Sequence, residues 1–239
     1  VPARSAGHPE LVAFAQEARD PGRVASFWAD LLDRETVTGG GGVLLPGSAT
    51  QVGLRFTPSA EPAAGPGWAH LHVGTSAGFD QGRTVARALG LGARPLDVGR
   101  LPEERHVVLA DPEGTAFCVI EPENSWLADC GALGEITCDG SRAVGRFWAG
   151  ALGWPLVLDQ DGQTAIQSPA GGTKIAWDEG QAAPERGRRR SRQTFELRAV
   201  APLEDEAARL VGLGATRHGR HADTVDLADV DGTPFRLDP

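Results

Sequence analysis

Apolar positions along this chain follow two rhythms, one residue in two and one in three or four, and the order of these rhythms recurs. Leu11 to Glu17, LVAFAQE, has strand character, and Asp20-Pro21 then opens a helix, because proline's fixed φ suits the first helical position. Val24, Phe27, Trp28, Leu31 and Leu32 fall at helical spacing, so this helix buries one stripe. Glycines 39 to 42 turn the chain into two short strands, VLLP from Val43 and QVGLRF from Gln51, and a Pro/Ala/Gly-rich loop runs to Gly67. Trp68 to Val73, WAHLHV, begins a second round, with a helix near Gly82 to Leu91 and a glycine-rich end at Gly92.

The second round closes on Val107 to Val119, VVLADPEGTAFCV, which returns near the C-terminus as Val225 to Leu237, VDLADVDGTPFRL. In both copies an apolar strand enters an acidic turn closed by glycine, Gly114 or Gly232, and a second strand leaves it, which predicts a β-hairpin. Phe147-Trp148-Ala149 repeats Phe27-Trp28-Ala29 at an offset of 120, and Leu213-Gly214-Ala215 repeats Leu91-Gly92-Ala93 at an offset of 122. Strands TAIQS from Thr164, TKIAW from Thr173 and TFEL from Thr194 occupy the places of their first-half counterparts. The duplication predicts two domains, residues 1–122 and 131–239, joined by a linker around Glu121 to Gly131. Each divides into half-units, at about 8–57 and 68–121 in the first and about 131–178 and 193–238 in the second.

Composition narrows the function classes. At 41% hydrophobic and 23% charged residues the chain is expected to be globular and soluble, and no apolar run approaches the ~20 residues that span a bilayer. The N-terminal VPARSAGHPE does not read as a signal peptide. Cys118, Cys130 and Cys138 form an odd, sparse set that points to a reducing cytoplasm rather than a disulfide framework. A net charge of −9 disfavours nucleic-acid and anionic-membrane partners and mildly favours a neutral or cationic ligand. The exception is the basic run Arg186 to Arg192, which reads as a solvated loop or as a clamp for an anion.

The Asp20-Pro21 helix with its Phe27-Trp28 pair, the His70-Leu71-His72-Val73 strand, Leu91-Gly92-Ala93 and the Asp111-to-Gly114 hairpin together resemble the vicinal oxygen chelate superfamily. That group includes glyoxalase I, bleomycin-resistance and fosfomycin-resistance proteins and extradiol dioxygenases, and the likeness is closest to glyoxalase-like members of GC-rich bacteria. The resemblance implies an α+β fold of two tandem domains, built of paired βαβββ modules whose curved mixed sheets enclose a cavity. It also implies where metal ligands would lie: His or Gln on the first strand of a module and Glu on the last. Those places fall near Ala13, at His70 and at Cys118 in the first half, and near Leu133, at Thr194 and at Arg236 in the second.

Catalytic zinc needs three protein ligands and oxygenase iron needs two His and a carboxylate, so these places predict no metal and no cofactor. The alternative is a divalent metal near His70, with Cys118 and a third group such as His72 or Glu17. Strand alternation sets Trp68, His70 and His72 on the face opposite Ala69, Leu71 and Val73, which directs the histidines to the cavity. They read either as satisfied half-buried polar groups or as groups that bind ligand oxygen and exchange protons. Thr194, Glu196 and Arg198, with Arg236, face the second cavity and read as an internal ion pair or as a carboxylate site. Cys118 reads as a buried filler unless His70 lies beside it. Trp28 and Trp148 read as helix anchors, whereas Trp68 and Trp177 can floor a ligand pocket.

The resulting expectation is a metal-independent, cytoplasmic small-molecule-binding protein that sequesters or senses an organic ligand, cationic or carbonyl-containing, as a monomer or homodimer. The alternative is a lyase, isomerase or dioxygenase-like enzyme acting on a small carbonyl or aromatic substrate. In it His70 or His72 would be the base and Arg236 or Arg198 would hold an anion. A scaffold with filled cavities is the third class.

Overall fold

Four copies of one βαβββ module follow each other along the chain. The computed structural model describes residues 7–59, 67–75, 80–97, 105–179 and 192–239. Residues 186–191 of the basic run therefore lie outside the described residues. The first module is β1 (Glu10–Ala18), α1 (Pro21–Leu32), β2 (Val37–Gly39), β3 (Gly42–Leu45) and β4 (Gly53–Pro58). The second is β5 (Ala69–Val73), α2 (Gln81–Gly90), β6 (Arg94–Pro95), β7 (Val107–Ala110) and β8 (Ala116–Val119). The third comprises β9 (Leu133–Asp139), α3 (Arg142–Leu152), β10 (Leu156–Gln160), β11 (Gln163–Gln167) and β12 (Lys174–Asp178). The fourth comprises β13 (Gln193–Arg198), α4 (Leu203–Gly212), β14 (Thr216–His221), β15 (Thr224–Ala228) and β16 (Pro234–Asp238).

Two mixed sheets of eight strands result, an α+β arrangement of two tandem units. Each sheet contains two modules, as the sequence implies, but takes them from different halves of the chain. One runs β14-β15-β16-β13-β1-β4-β3-β2 and joins the fourth module to the first; the other runs β10-β11-β12-β9-β5-β8-β7-β6 and joins the third to the second. The seams are antiparallel pairs of first strands, β1 with β13 and β5 with β9. A module on its own leaves its first strand with an unpaired edge, and pairing these edges inside one chain removes the liability.

Helices and hairpins instead tie together modules of the same half. Trp28 and Phe27 of α1 meet Phe117 of β8 at ring separations of 5.0 and 5.8 Å. Trp148 and Phe147 of α3 meet Phe235 of β16 at 5.0 and 5.9 Å. Each tryptophan also donates its indole N–H to the buried aspartate that opens the repeated hairpin, Trp28 to Asp111 and Trp148 to Asp229, both at 3.3 Å. The turns then reach the preceding helix. Glu113 accepts from the backbone N–H of Arg19 and Asp20, each at 3.2 Å, and Asp231 accepts from the N–H and hydroxyl of Ser141, each at 2.7 Å. Carboxylates placed there satisfy free donors at a helix N-terminus. Gly114 and Gly232 close the turns at φ of 92° and 84°, a backbone region costly for other residues. One apolar cluster, with Phe14, Leu71, Ile136 and Phe195 among its buried members, spans both sheets. No described helix is long and apolar enough to cross a membrane.

Candidate metal and ligand sites

On the β5–β9 seam, strand alternation buries Leu71 and Ile136 in the core and turns His70, His72, Glu135 and Thr137 to the other face. Register places His72 opposite Glu135 across the antiparallel seam and beside Cys118 in the parallel pair with β8. The Nε2 atoms of His72 and His70 lie 3.0 Å apart, and His72 Nδ1 lies 3.2 Å from Glu135 Oε1. Thr137 donates its hydroxyl to Glu135 Oε1 at 2.7 Å, and the Trp126 indole N–H donates to Glu135 Oε2. Glu135 is 4% exposed, so these donors are what make its burial as a carboxylate affordable in free energy. Lys174, its partner in β12, turns away to the Trp126 carbonyl and lies 3.8 Å over that ring.

These contacts polarise the cluster. Burial, helped by the charge of His72, holds His70 down to about 4. Burial also works against charge on His72, but its hydrogen bonds to Cys118 and Glu135 outweigh that and hold it up at about 9. Burial would raise Glu135, yet the hydrogen bond and charge of His72 keep it below the usual carboxylate range.

His70, His72 and Cys118 bring one ligand atom each to within 4.8 Å of one another. Two imidazoles and a thiol are a donor set suited to zinc or another borderline-soft divalent ion. Glu135 completes the fit, because a ligating histidine ordinarily donates its second ring N–H to a carboxylate that fixes its tautomer. The expectation of no cofactor is therefore corrected. It rested on one strand position per module, and on that count His72, two residues along β5 from His70, was not a ligand place. The same count set the place of the third module near Leu133, which is fully buried in the core; the glutamate lies two residues on. The sequence reading missed Glu135: by register it matches Ala13 of β1, at an offset of 122 (135 − 13) rather than the 120 carried by the Phe-Trp pair. The third module takes two residues fewer than the first from this strand position to its Phe-Trp pair, so a count taken from the helix fell on Leu133.

The β1–β13 seam has a different chemistry. Glu196 is 4% exposed and pairs with Arg55 at 2.6 Å. Arg198 sits at the strand end, paired with Glu10 at 3.3 Å, and Thr194 donates to the Pro234 carbonyl. Arg236 lies beside Glu196 in the parallel register of β13 and β16, with its Nε 3.7 Å from Asp226. Of the two candidate pocket tryptophans, Trp177 is 2% exposed in the core. Trp68 packs edge-on against Phe14 and Phe195 and donates to the Gln193 carbonyl.

Tandem βαβββ modules in mixed eight-stranded sheets, with donors gathered where first and last strands meet, are the architecture of the vicinal oxygen chelate superfamily. Within it, the family model of the glyoxalase-like domain matches residues 12–120 and 135–237, and the chain belongs to that family. No curated protein sequence matches it. Among solved structures, glyoxalase I from Zea mays is similar at a TM-score of 0.64 and 12% identity, covering 96% of this chain and 92% of that one. A candidate dioxygenase from Bacillus subtilis subsp. subtilis str. 168 gives a TM-score of 0.62 at 14% identity, covering 96% and 84%. The fosfomycin resistance protein FosX from Mesorhizobium loti covers 48% of this chain and 94% of its own at 16% identity, with a TM-score of 0.38. At such identities the likeness concerns the fold.

Proposed function

We propose that this chain is a small-molecule-binding protein of the glyoxalase-like family that takes its ligand at a divalent metal site formed by His70, His72 and Cys118. The observation that carries this reading is the convergence of those three ligand atoms within 4.8 Å, backed by Glu135. A bound ion of this kind supplies a Lewis-acid contact for a ligand oxygen. The protein's own part is positional. Glu135 accepts from His72 Nδ1 and so presents Nε2 to the site, while Trp126 and Thr137 hold Glu135 in place.

Protein purified without affinity tag or chelator is expected to carry close to one equivalent of metal per chain, and His70→Ala to lose it. Far less than one equivalent in the parent, with no uptake on adding zinc, would contradict the reading. Small carbonyl compounds and cationic antibiotics are the first ligands to screen by thermal shift. A ligand at a hundred times its Kd stabilises by about 2.7 kcal/mol. That stabilisation should vanish in His70→Ala.

A second reading, a lyase- or isomerase-type enzyme of the same superfamily, is favoured by the 3.0 Å contact between the two imidazoles, across which one proton can be passed. Exchange of a ligand C–H for deuterium in D2O, abolished by His72→Gln while binding persists, distinguishes it from binding alone.

A further inference from the structure

Of the three proposed ligands, Cys118 is buried, whereas His70 and His72 are half-buried. What covers Cys118 is the segment between β8 and β9, residues 121–131. Along β7 and β8, Leu109, Phe117 and Val119 belong to the main apolar cluster, so alternation turns Val108 and Cys118 to the histidine face, with Ile120 just beyond β8. There these three form a second, separate cluster with Leu127 and Cys130 of the segment, and Trp126 packs against it. Apolar side chains on the ligand face are thus kept from water by linker residues rather than by the core.

The segment is clasped at its middle and turned at its end. Ser125–Leu127 is a single 3-10 turn, with the Leu127 N–H capped by the Asn124 side chain at 3.2 Å. Trp126 grips Glu135 and Lys174, which are neighbours in the register of β9 and β12. Its indole N–H donates to Glu135, and its carbonyl accepts from Lys174, whose Nζ also lies 3.8 Å over the ring. Past the clasp, Asp129 at φ of 63° and Gly131 at 80° turn the chain into β9, a left-handed backbone that a residue with a side chain adopts at a cost. Gln51 Nε2 fixes the far end by donating to the Cys130 carbonyl at 2.7 Å. A cluster of five buried residues held by one clasp separates at lower free energy than a core that spans both sheets.

We infer that residues 121–131 form a strap that lifts as a unit while the rest of the fold stays closed, and that lifting it is what uncovers Cys118. Closed, the strap keeps the Cys118 side chain from solvent and holds Glu135 on the Trp126 indole; lifted, it releases both. The strap thereby regulates the site proposed above, and its bearing on a metal rests on that reading.

The cysteines themselves report on the strap: Cys118 and Cys130 belong to its cluster and Cys138 to the main one. In the full chain, stripped of metal, labelling by iodoacetamide is followed at each cysteine by peptide mass spectrometry over urea concentrations below the unfolding transition. Opening the strap exposes little surface, so the labelling rates of Cys118 and Cys130 should stay within about threefold across the series. Global unfolding exposes much, so that of Cys138 should climb by about tenfold or more per molar urea. Comparing each cysteine with itself removes differences in intrinsic thiol reactivity. Leu127→Ala, which trims the strap cluster and leaves the Trp126 indole in place, should speed labelling of Cys118 and Cys130 by about tenfold or more. One steep urea dependence shared by all three cysteines would overturn the inference, and so would Cys118 labelling that Leu127→Ala leaves unchanged. Since the protein carries no metal in this measurement, the outcome does not depend on whether the metal site forms.

Discussion

Asp229 is a carboxylic acid held 3% exposed between the Trp148 indole and the backbone N–H groups of Asp231 and Thr233. Burial dominates, and with the nearby charge of Asp231 it outweighs those three donors and pushes the group up from 3.8 to about 6. A carboxyl raised on folding favours the native state when protonated. Its contribution is therefore complete below about 3.8 and is lost as pH rises through about 6. Between pH 7 and pH 5 the native protein should gain about 1.4 kcal/mol from this group. Urea unfolding of the parent and Asp229→Asn at both values checks this: the parent should gain on the variant by that amount at pH 5, and a pH-independent difference would exclude it. Glu196 is 4% exposed and pairs with the half-buried Arg55. Arg55→Ala, which strands it, should cost about 3–5 kcal/mol, whereas Arg236→Ala at the surface should cost less than about 1 kcal/mol.

At the scale of elements, the repeated hairpin has a mechanical role that its turn sequence only hinted at. Its acidic residue completes the N-terminus of the helix one module earlier in sequence, Glu113 for α1 and Asp231 for α3. Asp231→Ala should cost about 1 kcal/mol, the scale of a lost helix cap, and should raise hydrogen exchange in the first turn of α3. The helices, most strands and the hairpins were legible in the sequence because each depends on local periodicity and turn chemistry. The histidine face of β5 was legible for the same reason: alternation alone separates His70 and His72 from Leu71 and Val73. Glu135 was not, since its place depends on how β9 registers against β5, a pairing between distant parts of the chain with an irregularity at its end. The short strands β2 and β6, of three and two residues, are too brief to carry a period of their own.

The whole molecule is clasped twice. Cores and hairpins join first module to second and third to fourth, whereas sheets join first to fourth and second to third. The order of the modules was written in the repeats, but the choice of partners was not, because all four first strands offer similar edges and the decision is made by their placement in space. Glu135 comes from the third module and His70, His72 and Cys118 from the second, so the metal-type site is shared between halves of the chain. A protease site inserted in the linker between residues 122 and 131 should yield two fragments that stay together on size-exclusion chromatography. Each fragment alone should be unstable or should self-associate. Two independently stable monomeric halves would contradict the exchanged sheets.

Adding Co²⁺ to the metal-stripped protein probes whether His70, His72 and Cys118 form a site for a divalent metal. A thiolate-to-cobalt charge-transfer band should appear and saturate at one equivalent. That band should be absent in Cys118→Ser, reduced in His70→Ala, and displaced by zinc. Failure of the parent protein to develop it, or a band undiminished in Cys118→Ser, would rule out this metal site.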